Sequence, residues 1–364
     1  MPSYEHDHFD EILWQVGRRA FALLAFLLLP PPGVGAKEER GYIELHTGYG
    51  TPKKLIVHGR VLEEEPPHAP EGKGSKIANI IRTARLLETD ELGDRPVTVR
   101  FELRTATGRT DREGFFTIEL PAGEEPFPRG RHPVRVRARI SAEVSAETTA
   151  QARIYPASLD RVVVCDFDDT LVKSHMKHAL RAAWKAMTGD PARLDPVQGM
   201  KLLLEGLAGG REGAAAVAYL SGSPVNFHPR IKAYLEQKDF PRGPLLLRNL
   251  GLGPDNESWS LTRYKTVELR RLMEIFPDSR FVLVGDSGQS DPEIYRALRK
   301  DAPERIEAIL IRRLEGDQNE ERFEGMITFE DGEEGLEKAR EAGLIREGEP
   351  RPAGRASGAE KDRP

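Results

Sequence analysis

Acidic side chains cluster directly after an apolar run of the sequence. Asp166, Asp168 and Asp169 follow residues 162–165, and Thr170 completes the sequence Asp-Phe-Asp-Asp-Thr. Carboxylates this close together are electrostatically unfavourable unless a cation neutralises them. Oxygen ligands favour a hard cation, and Mg²⁺ fits this set. The segment therefore predicts a metal site. The structural alternative, in which the acids cap the following helix, explains only one of them.

Three later segments carry further side chains suited to phosphate chemistry. Ser221 and Asp286 each follow an apolar run, and Asp291 lies five residues beyond Asp286. Lys265 lies at the start of a predicted helix between them. In open α/β sheets, ligands bind beside the carboxyl ends of the strands. We therefore predict that these side chains meet the first acidic cluster at one sheet edge.

Short apolar runs alternate with helical patterns between residues 157 and 345. This alternation predicts an α/β domain with a parallel sheet that is covered on both faces. The predicted strands are residues 161–165, 217–220, 281–284 and 308–311. The predicted helices between them include residues 267–275 and 292–299.

Residues 37–156 are rich in predicted strands and precede the α/β region. Alternating apolar and polar residues between turn signals predict a small β-sandwich-like domain. The predicted strands are residues 55–62, 97–104, 115–120, 134–140 and 143–154. We expect turns at residues 107–109 and 111–114, and a short helix at residues 77–88.

The motifs, taken in order, resemble those of the haloacid dehalogenase superfamily. Residues 219–224 (Tyr-Leu-Ser-Gly-Ser-Pro) and 285–295 (Gly-Asp-Ser-Gly-Gln-Ser-Asp-Pro-Glu-Ile-Tyr) narrow this resemblance to one family. They look like the catalytic domain of the actin-patch-associated phosphatidate phosphatases, in a bacterial-type member with an N-terminal β domain. The family usually carries Asn where Gly222 stands and Trp where Val225 stands, so the resemblance leaves substrate choice open.

The resemblance implies a Rossmann-like haloacid dehalogenase fold with a small helical cap, and it assigns roles to the motif residues. Asp166 is expected to attack phosphorus and form an aspartyl-phosphate. Asp168 is expected to act as general acid and then as general base. Ser221, Gly222 and Lys265 are expected to bind the phosphoryl group, and Lys265 also to neutralise charge in the transition state.

The same resemblance implies one Mg²⁺ ion as the cofactor. Its expected ligands are Asp166, the main-chain carbonyl of Asp168, and Asp286, with Asp291 supporting the site. The structural alternative for Asp291, which precedes Pro292, is a helix cap.

The expected substrate is a phosphomonoester, with phosphatidate giving diacylglycerol and phosphate as the function that the resemblance implies. Residues 171–216, with helices predicted at 178–187 and 197–207, are short for a lid, which suits a large or membrane-held substrate. Peripheral membrane contact is therefore part of the expectation. Two alternatives stay open at this point. One is a phosphatase for soluble phosphomonoesters or phosphoproteins, and the other is a non-catalytic binding protein that acts through the β domain.

Composition narrows the class of protein further. The 364 residues carry 31% charged side chains but a formal net charge of only −5, which argues against a dedicated nucleic-acid-binding protein. The single cysteine, Cys165, excludes a disulfide framework within the chain and is expected to pack in a buried strand.

The two ends of the chain have compositions of their own. Residues 1–36 contain an apolar run preceded by two arginines, which predicts a signal or an amphipathic segment, although the first 17 residues are acidic. A signal would place the protein in the periplasm or outside the cell, and otherwise it would be cytoplasmic. Residues 346–364 are rich in Gly, Pro and charge and are expected to be disordered.

Overall fold

The computed structural model describes residues 40–65, 92–172, 195–209, 215–249, 260–316 and 319–345. The predictions for residues 1–36, for helices 77–88 and 178–187, and for residues 346–364 lie outside these ranges. Among the described residues, no helix is both long enough and apolar enough to cross a membrane. The domain boundaries at residues 36, 156 and 345 stay predictions.

The first sheet has seven strands in the order β4-β3-β6-β7-β1-β2-β5. The pairs are antiparallel except for the parallel pair β1 and β7. Its strands are β1 (Tyr42–Thr51), β2 (Lys54–Leu62), β3 (Pro96–Phe101), β4 (Arg104–Arg109), β5 (Phe115–Pro121), β6 (Gly130–Arg139) and β7 (Ser145–Ile154).

The first sheet corrects the prediction of a sandwich. All seven strands belong to one sheet, and its edge strands β4 and β5 contact each other, so the sheet is nearly closed like a barrel. The inward-facing residues of every strand fill one core. A barrel strand and a sandwich strand share the same alternation of apolar and polar residues. Sequence periodicity therefore cannot distinguish one closed sheet from two stacked sheets.

The structure also moves one predicted turn. The chain reverses at Glu102, which has a φ of 52°, and at Leu103, which is 92% exposed. Residues 107–109, predicted as a turn, lie in β4, where Gly108 pairs with Val97. A Cβ at Gly108 would lie 3.0 Å from Cγ1 of Ile118. The glycine thus allows β4 to approach β5 closely and does not mark a turn.

The second sheet confirms the predicted parallel sheet. Its six strands are all parallel and lie in the order β10-β9-β8-β11-β12-β13. They are β8 (Arg161–Asp166), β9 (Ala215–Pro224), β10 (Leu245–Arg248), β11 (Arg280–Asp286), β12 (Ile306–Arg312) and β13 (Ile327–Phe329). The short strands β10 and β13 were not predicted. They lie at the two edges, where three or four residues give little periodic signal.

Helices cover both faces of the second sheet. They are α1 (Met200–Leu207), α2 (His228–Gln237), α3 (Leu261–Ile275), α4 (Asp291–Asp301) and α5 (Gly332–Glu341), with 3-10 turns at Val225–Phe227 and Glu320–Phe323. The side chain of Val163 packs toward α1, α2 and α5, while those of Val162 and Val164 pack toward α3 and α4. Because neighbouring strand residues face opposite sides, a continuous apolar strand supplies both cores.

The first sheet packs against the α3 side of the second sheet. Tyr49 and Ile56 of the first sheet belong to the same apolar cluster as Leu269 and Leu272 of α3. At the carboxyl end of β10, Asn249 Nδ2 donates a hydrogen bond of 2.7 Å to Glu113 Oε2 of the first sheet. The turn at residues 111–114 is therefore anchored beside the carboxyl edge of the parallel sheet.

The approach of the β10 segment to β9 yields a stability prediction. A Cβ at Gly243, just before β10, would lie 1.7 Å from the main-chain oxygen of Val217. Gly243→Ala must displace backbone, so we expect it to lower the free energy of unfolding by about 3 kcal/mol. Gly123→Ala is the control, because Gly123 has a φ of 74° but no atom within 4 Å of its Cβ position. It should cost only about 1 kcal/mol. Urea unfolding measures both, and equal costs would contradict the close approach.

Candidate active site

Lys265 is the charged centre of a buried cluster at the carboxyl edge of the parallel sheet. Its Nζ donates to Asp166 Oδ1 at 2.7 Å and to Asp291 Oδ1 at 2.5 Å. All three side chains are at most 1% exposed. Helix α3 begins after Ser260, whose hydroxyl accepts from the Arg263 main-chain N–H, and this start places Lys265 in the second turn.

Asp286 completes the cluster from the end of β11. Its Oδ1 accepts from the Gly288 N–H at 2.6 Å, and its own N–H lies 3.4 Å from Asp291 Oδ2. The Thr170 hydroxyl lies 3.2 Å from Asp166 Oδ2 and 3.3 Å from Asp286 Oδ2. One hydroxyl proton cannot serve both carboxylate oxygens at once. One of the two oxygens, Asp166 Oδ2 or Asp286 Oδ2, therefore receives no hydrogen bond from Thr170.

This cluster has the composition of a cation site. Carboxylate oxygens of Asp166, Asp286 and Asp291 all lie within 4.8 Å of one another. With all three ionised, one ammonium leaves a formal charge of −2, which a divalent cation would neutralise. Three carboxylates and a surplus oxygen acceptor therefore fit a hard divalent metal ion.

Burial raises the pKa values of the carboxyl groups in this metal-free arrangement. Burial, and then repulsion from Asp291, raise the pKa of Asp286 to about 7. Burial also raises the pKa of Asp166 well above its usual range, although Lys265 opposes this shift. For Lys265, burial acts to lower the pKa, but the carboxylates of Asp166 and Asp291 raise it above its usual range. The lysine therefore stays charged at neutral pH.

Asp168 is turned away from the buried carboxylates. Its Oδ2 accepts from the Ser221 hydroxyl at 2.6 Å and from the Ser223 hydroxyl at 2.8 Å. The Ser221 hydroxyl oxygen accepts in turn from the Ser223 N–H at 2.9 Å. Asp168 is half-buried, so it lies at the mouth of the cluster. Its predicted metal contact through the main-chain carbonyl stays a prediction.

The structure thus brings the predicted residues to one edge in two adjoining groups. The buried group holds Asp166, Asp286, Asp291 and Lys265, and the outer group holds Asp168 and Ser221. Gly222 adjoins the outer group, and a Cβ there would lie 2.4 Å from Leu261 Cδ1 at the start of α3.

Sequence reasoning missed two residues at this edge. Ser223 holds Asp168 together with Ser221, and its position two residues further along the same strand is the signal that could have revealed it. Arg312 at the end of β12 donates to the main-chain oxygen of Asp169 at 2.6 Å. Asp169 has a φ of 54°, so this bond holds a tight turn directly after the Asp166 strand.

A comparison with protein families identifies this region. Residues 161–313 match the family described as phosphatidate phosphatase APP1, catalytic domain. Over these residues the chain is similar to the catalytic domain of the APP1-type family. The resemblance seen in the sequence is therefore confirmed for the part that carries the buried cluster.

One curated relative is phosphatidate phosphatase APP1 of Saccharomyces cerevisiae (strain ATCC 204508 / S288c). It is 34% identical over 95 residues, which are 26% of this chain and 16% of the yeast protein. The match thus spans about one sixth of the yeast protein. It supports the family assignment of the matched region only.

Solved structures resemble the chain only distantly. A carbohydrate acetylesterase from Xanthomonas citri has 10% identity and a TM-score of 0.30, over 82% of this chain and 73% of that one. A polysaccharide deacetylase from Bacillus cereus has 12% identity and a TM-score of 0.18, over 75% and 81% of the two chains. At these TM-scores the likeness carries no conclusion about fold or function.

The buried ion pairs yield a stability prediction. In EDTA, Lys265→Met should lower the free energy of unfolding by about 3–5 kcal/mol, because it leaves Asp166 and Asp291 without their counter-charge. Lys300→Met is the matched control, since Lys300 is exposed and should change stability by less than about 0.5 kcal/mol. Equal losses in urea unfolding would contradict the central role of Lys265.

The raised pKa of Asp286 yields a prediction about pH. Its folded-state pKa of about 7 lies above the ordinary value of 3.8, so between these pH values the folded state binds more protons than the unfolded state. The contribution of Asp286 to stability therefore falls as pH rises through this window.

Asp286→Asn removes this titration. In EDTA, its stability relative to wild type should increase between pH 5 and pH 8 by on the order of 2 kcal/mol. Urea unfolding at the two pH values measures the change. A difference that does not depend on pH would show that Asp286 ionises normally.

Proposed function

We propose that this protein is a Mg²⁺-dependent phosphatase that hydrolyses phosphatidate to diacylglycerol and phosphate through an aspartyl-phosphate. The observation that carries the proposal is the buried Asp166 carboxylate, held by Lys265 beside Asp286 and Asp291, within the region of the APP1-type family. The order of the motifs along the chain supports a haloacid dehalogenase type of catalytic domain.

The cofactor proposal uses the residues that fit a divalent ion. Asp166, Asp286 and Asp291, with the main-chain carbonyl of Asp168, would hold Mg²⁺. When bound, the ion would neutralise the carboxylates and offset the negative charge of the transferring phosphoryl group. Without the ion, the formal charge of the cluster repels a phosphate dianion.

The nucleophile in this proposal is Asp166. The Lys265 ammonium donates to Asp166 Oδ1 and so orients the carboxylate. The other oxygen, Asp166 Oδ2, lies beside the Thr170 hydroxyl. Attack of the carboxylate on phosphorus forms an aspartyl-phosphate and releases the lipid alcohol. Water then attacks the same phosphorus, which releases phosphate and restores Asp166. Lys265 also offsets charge that develops on the phosphoryl oxygens.

The proton carrier in this proposal is Asp168. The hydroxyls of Ser221 and Ser223 donate to it and hold its carboxyl group at the mouth of the cluster. We propose that a bound phosphoryl group takes over the Ser221 hydroxyl. Asp168 would then protonate the leaving alcohol and later remove a proton from the attacking water.

The proposal is tested by phosphate release from phosphatidate in mixed micelles, with Mg²⁺ or with EDTA. A soluble aryl phosphate is assayed in parallel. We expect Mg²⁺-dependent release from phosphatidate, and a loss of at least about 10³-fold in Asp166→Asn. Asp160→Asn is the matched control, because Asp160 is exposed just before the same strand, and it should keep full activity.

The assay separates the alternatives. Release from the aryl phosphate alone would keep the chemistry and reject the lipid substrate. Absence of release from both substrates in the presence of Mg²⁺ would reject catalysis and favour a binding protein. Equal activity in Asp166→Asn and wild type would reject Asp166 as the nucleophile.

A further inference from the structure

A cavity of about 310 Å³ lies between the two sheets, apart from the carboxylate cluster. Its walls come from β1, β6 and β7 of the first sheet, and from α2 and the segment that leads into β10. Leu245 in its wall pairs with Tyr219, two residues before Ser221 on β9. Two residues of a strand span roughly 7 Å, so this part of the wall lies about that far before the carboxyl edge of the sheet.

The cavity is lined by an excess of positive charge. Arg131, Arg153, Lys232 and Arg242 line it, whereas Glu236 is the one carboxylate among its lining residues. No carboxylate in the described part of the chain forms an ion pair with Arg131, Lys232 or Arg242. This local excess contrasts with the formal net charge of −5 for the whole chain.

One lining residue, Tyr155, carries a buried hydroxyl that interacts electrostatically with Arg153 and Arg131, which also line the cavity. Tyr155 is 2% exposed, and within the described residues its phenol oxygen has no hydrogen-bond partner. Burial raises the pKa of Tyr155 to about 12, so the phenol keeps its proton and can donate. A buried polar group without a partner destabilises the folded state. A bound acceptor would recover this free energy.

Positive charge and an unused donor in one cavity point to an anion with several acceptor oxygens. We propose that this cavity binds a phosphate group, either as inorganic phosphate or as the headgroup of phosphatidate. Guanidinium groups bind phosphate oxygens in pairs, and an ammonium and the Tyr155 phenol can serve the remaining oxygens. The cavity volume is at the lower end of the range found for small-molecule sites, and this size suits a ligand as small as a phosphate headgroup.

The binding test is designed to exclude the carboxylate cluster. Inorganic phosphate is titrated calorimetrically into the full chain in EDTA, where the uncompensated carboxylates of that cluster repel phosphate. The cavity variant is Arg131→Gln/Lys232→Gln/Arg242→Gln, at three exposed positions. The matched control is Arg139→Gln/Lys300→Gln/Arg340→Gln, which removes the same charges at exposed positions outside the cavity lining.

We expect wild type and control to bind phosphate, and the cavity variant to bind with a Kd at least ~10-fold higher, which corresponds to about 1.4 kcal/mol. Tyr155→Phe, which removes only the hydroxyl, should raise the Kd by a few-fold. Binding should weaken as salt is added, because the attraction is electrostatic. Thermal unfolding checks that the cavity variant is as stable as the control.

A vesicle experiment distinguishes the two sources of phosphate. Flotation compares phosphatidylcholine vesicles with and without phosphatidate, again in EDTA. Phosphatidate-dependent flotation that is lost in the cavity variant and kept in the control supports the lipid headgroup as ligand. Calorimetric binding without such flotation supports free phosphate. The proposal is overturned if neither ligand binds, or if the cavity variant binds both as well as the control does.

This inference does not depend on catalysis. Both experiments measure binding in EDTA, so an inactive enzyme with a functional cavity would still give the expected result. An active phosphatase without phosphate binding in EDTA would keep the proposed function and reject the cavity as a ligand site.

Discussion

The buried ammonium of Lys265, held between the carboxylates of Asp166 and Asp291, is the interaction on which the rest of the site depends. One strand and two helices supply the three groups, and none could stay ionised in this position alone, because burial of an isolated charge is too costly. The ion pairs therefore tie together the end of β8, the second turn of α3 and the start of α4. They also leave the cluster negatively charged, which prepares it for a divalent cation.

The architecture explains how these groups meet. A parallel sheet places the carboxyl ends of β8, β9 and β11 at one edge, so Asp166 and Asp286 need no further device to become neighbours. Apolar side chains pack on both faces of the sheet and hold it in place. The hydroxyls of Ser221 and Ser223 hold Asp168 at the mouth of the cluster. Strand ends and helix starts thus carry the buried charges, while the groups that would exchange protons lie nearer to solvent.

The sequence predicted much of the site because its key residues follow apolar strands, and a strand end determines where the next side chain lies. Asp166 and Asp286 could be placed at the sheet edge for this reason, and Lys265 by the order of the motifs. The closure of the first sheet and the turn at Glu102 could not be predicted, since both depend on contacts between distant strands. The cavity between the sheets could not be predicted either, because its cations come from two distant parts of the chain, Arg131 and Arg153 from one and Lys232 and Arg242 from the other.

The central claim is that the buried carboxylates form one divalent-cation site, and calorimetric titration of Mg²⁺ into EDTA-stripped and desalted protein tests it most directly. The account predicts that one Mg²⁺ binds per chain, and that Asp286→Asn weakens binding at least ~10-fold because one of three ligands loses its charge. Asp160→Asn, at an exposed position, should bind as wild type does. Equal Mg²⁺ affinity in Asp286→Asn and wild type would contradict the account.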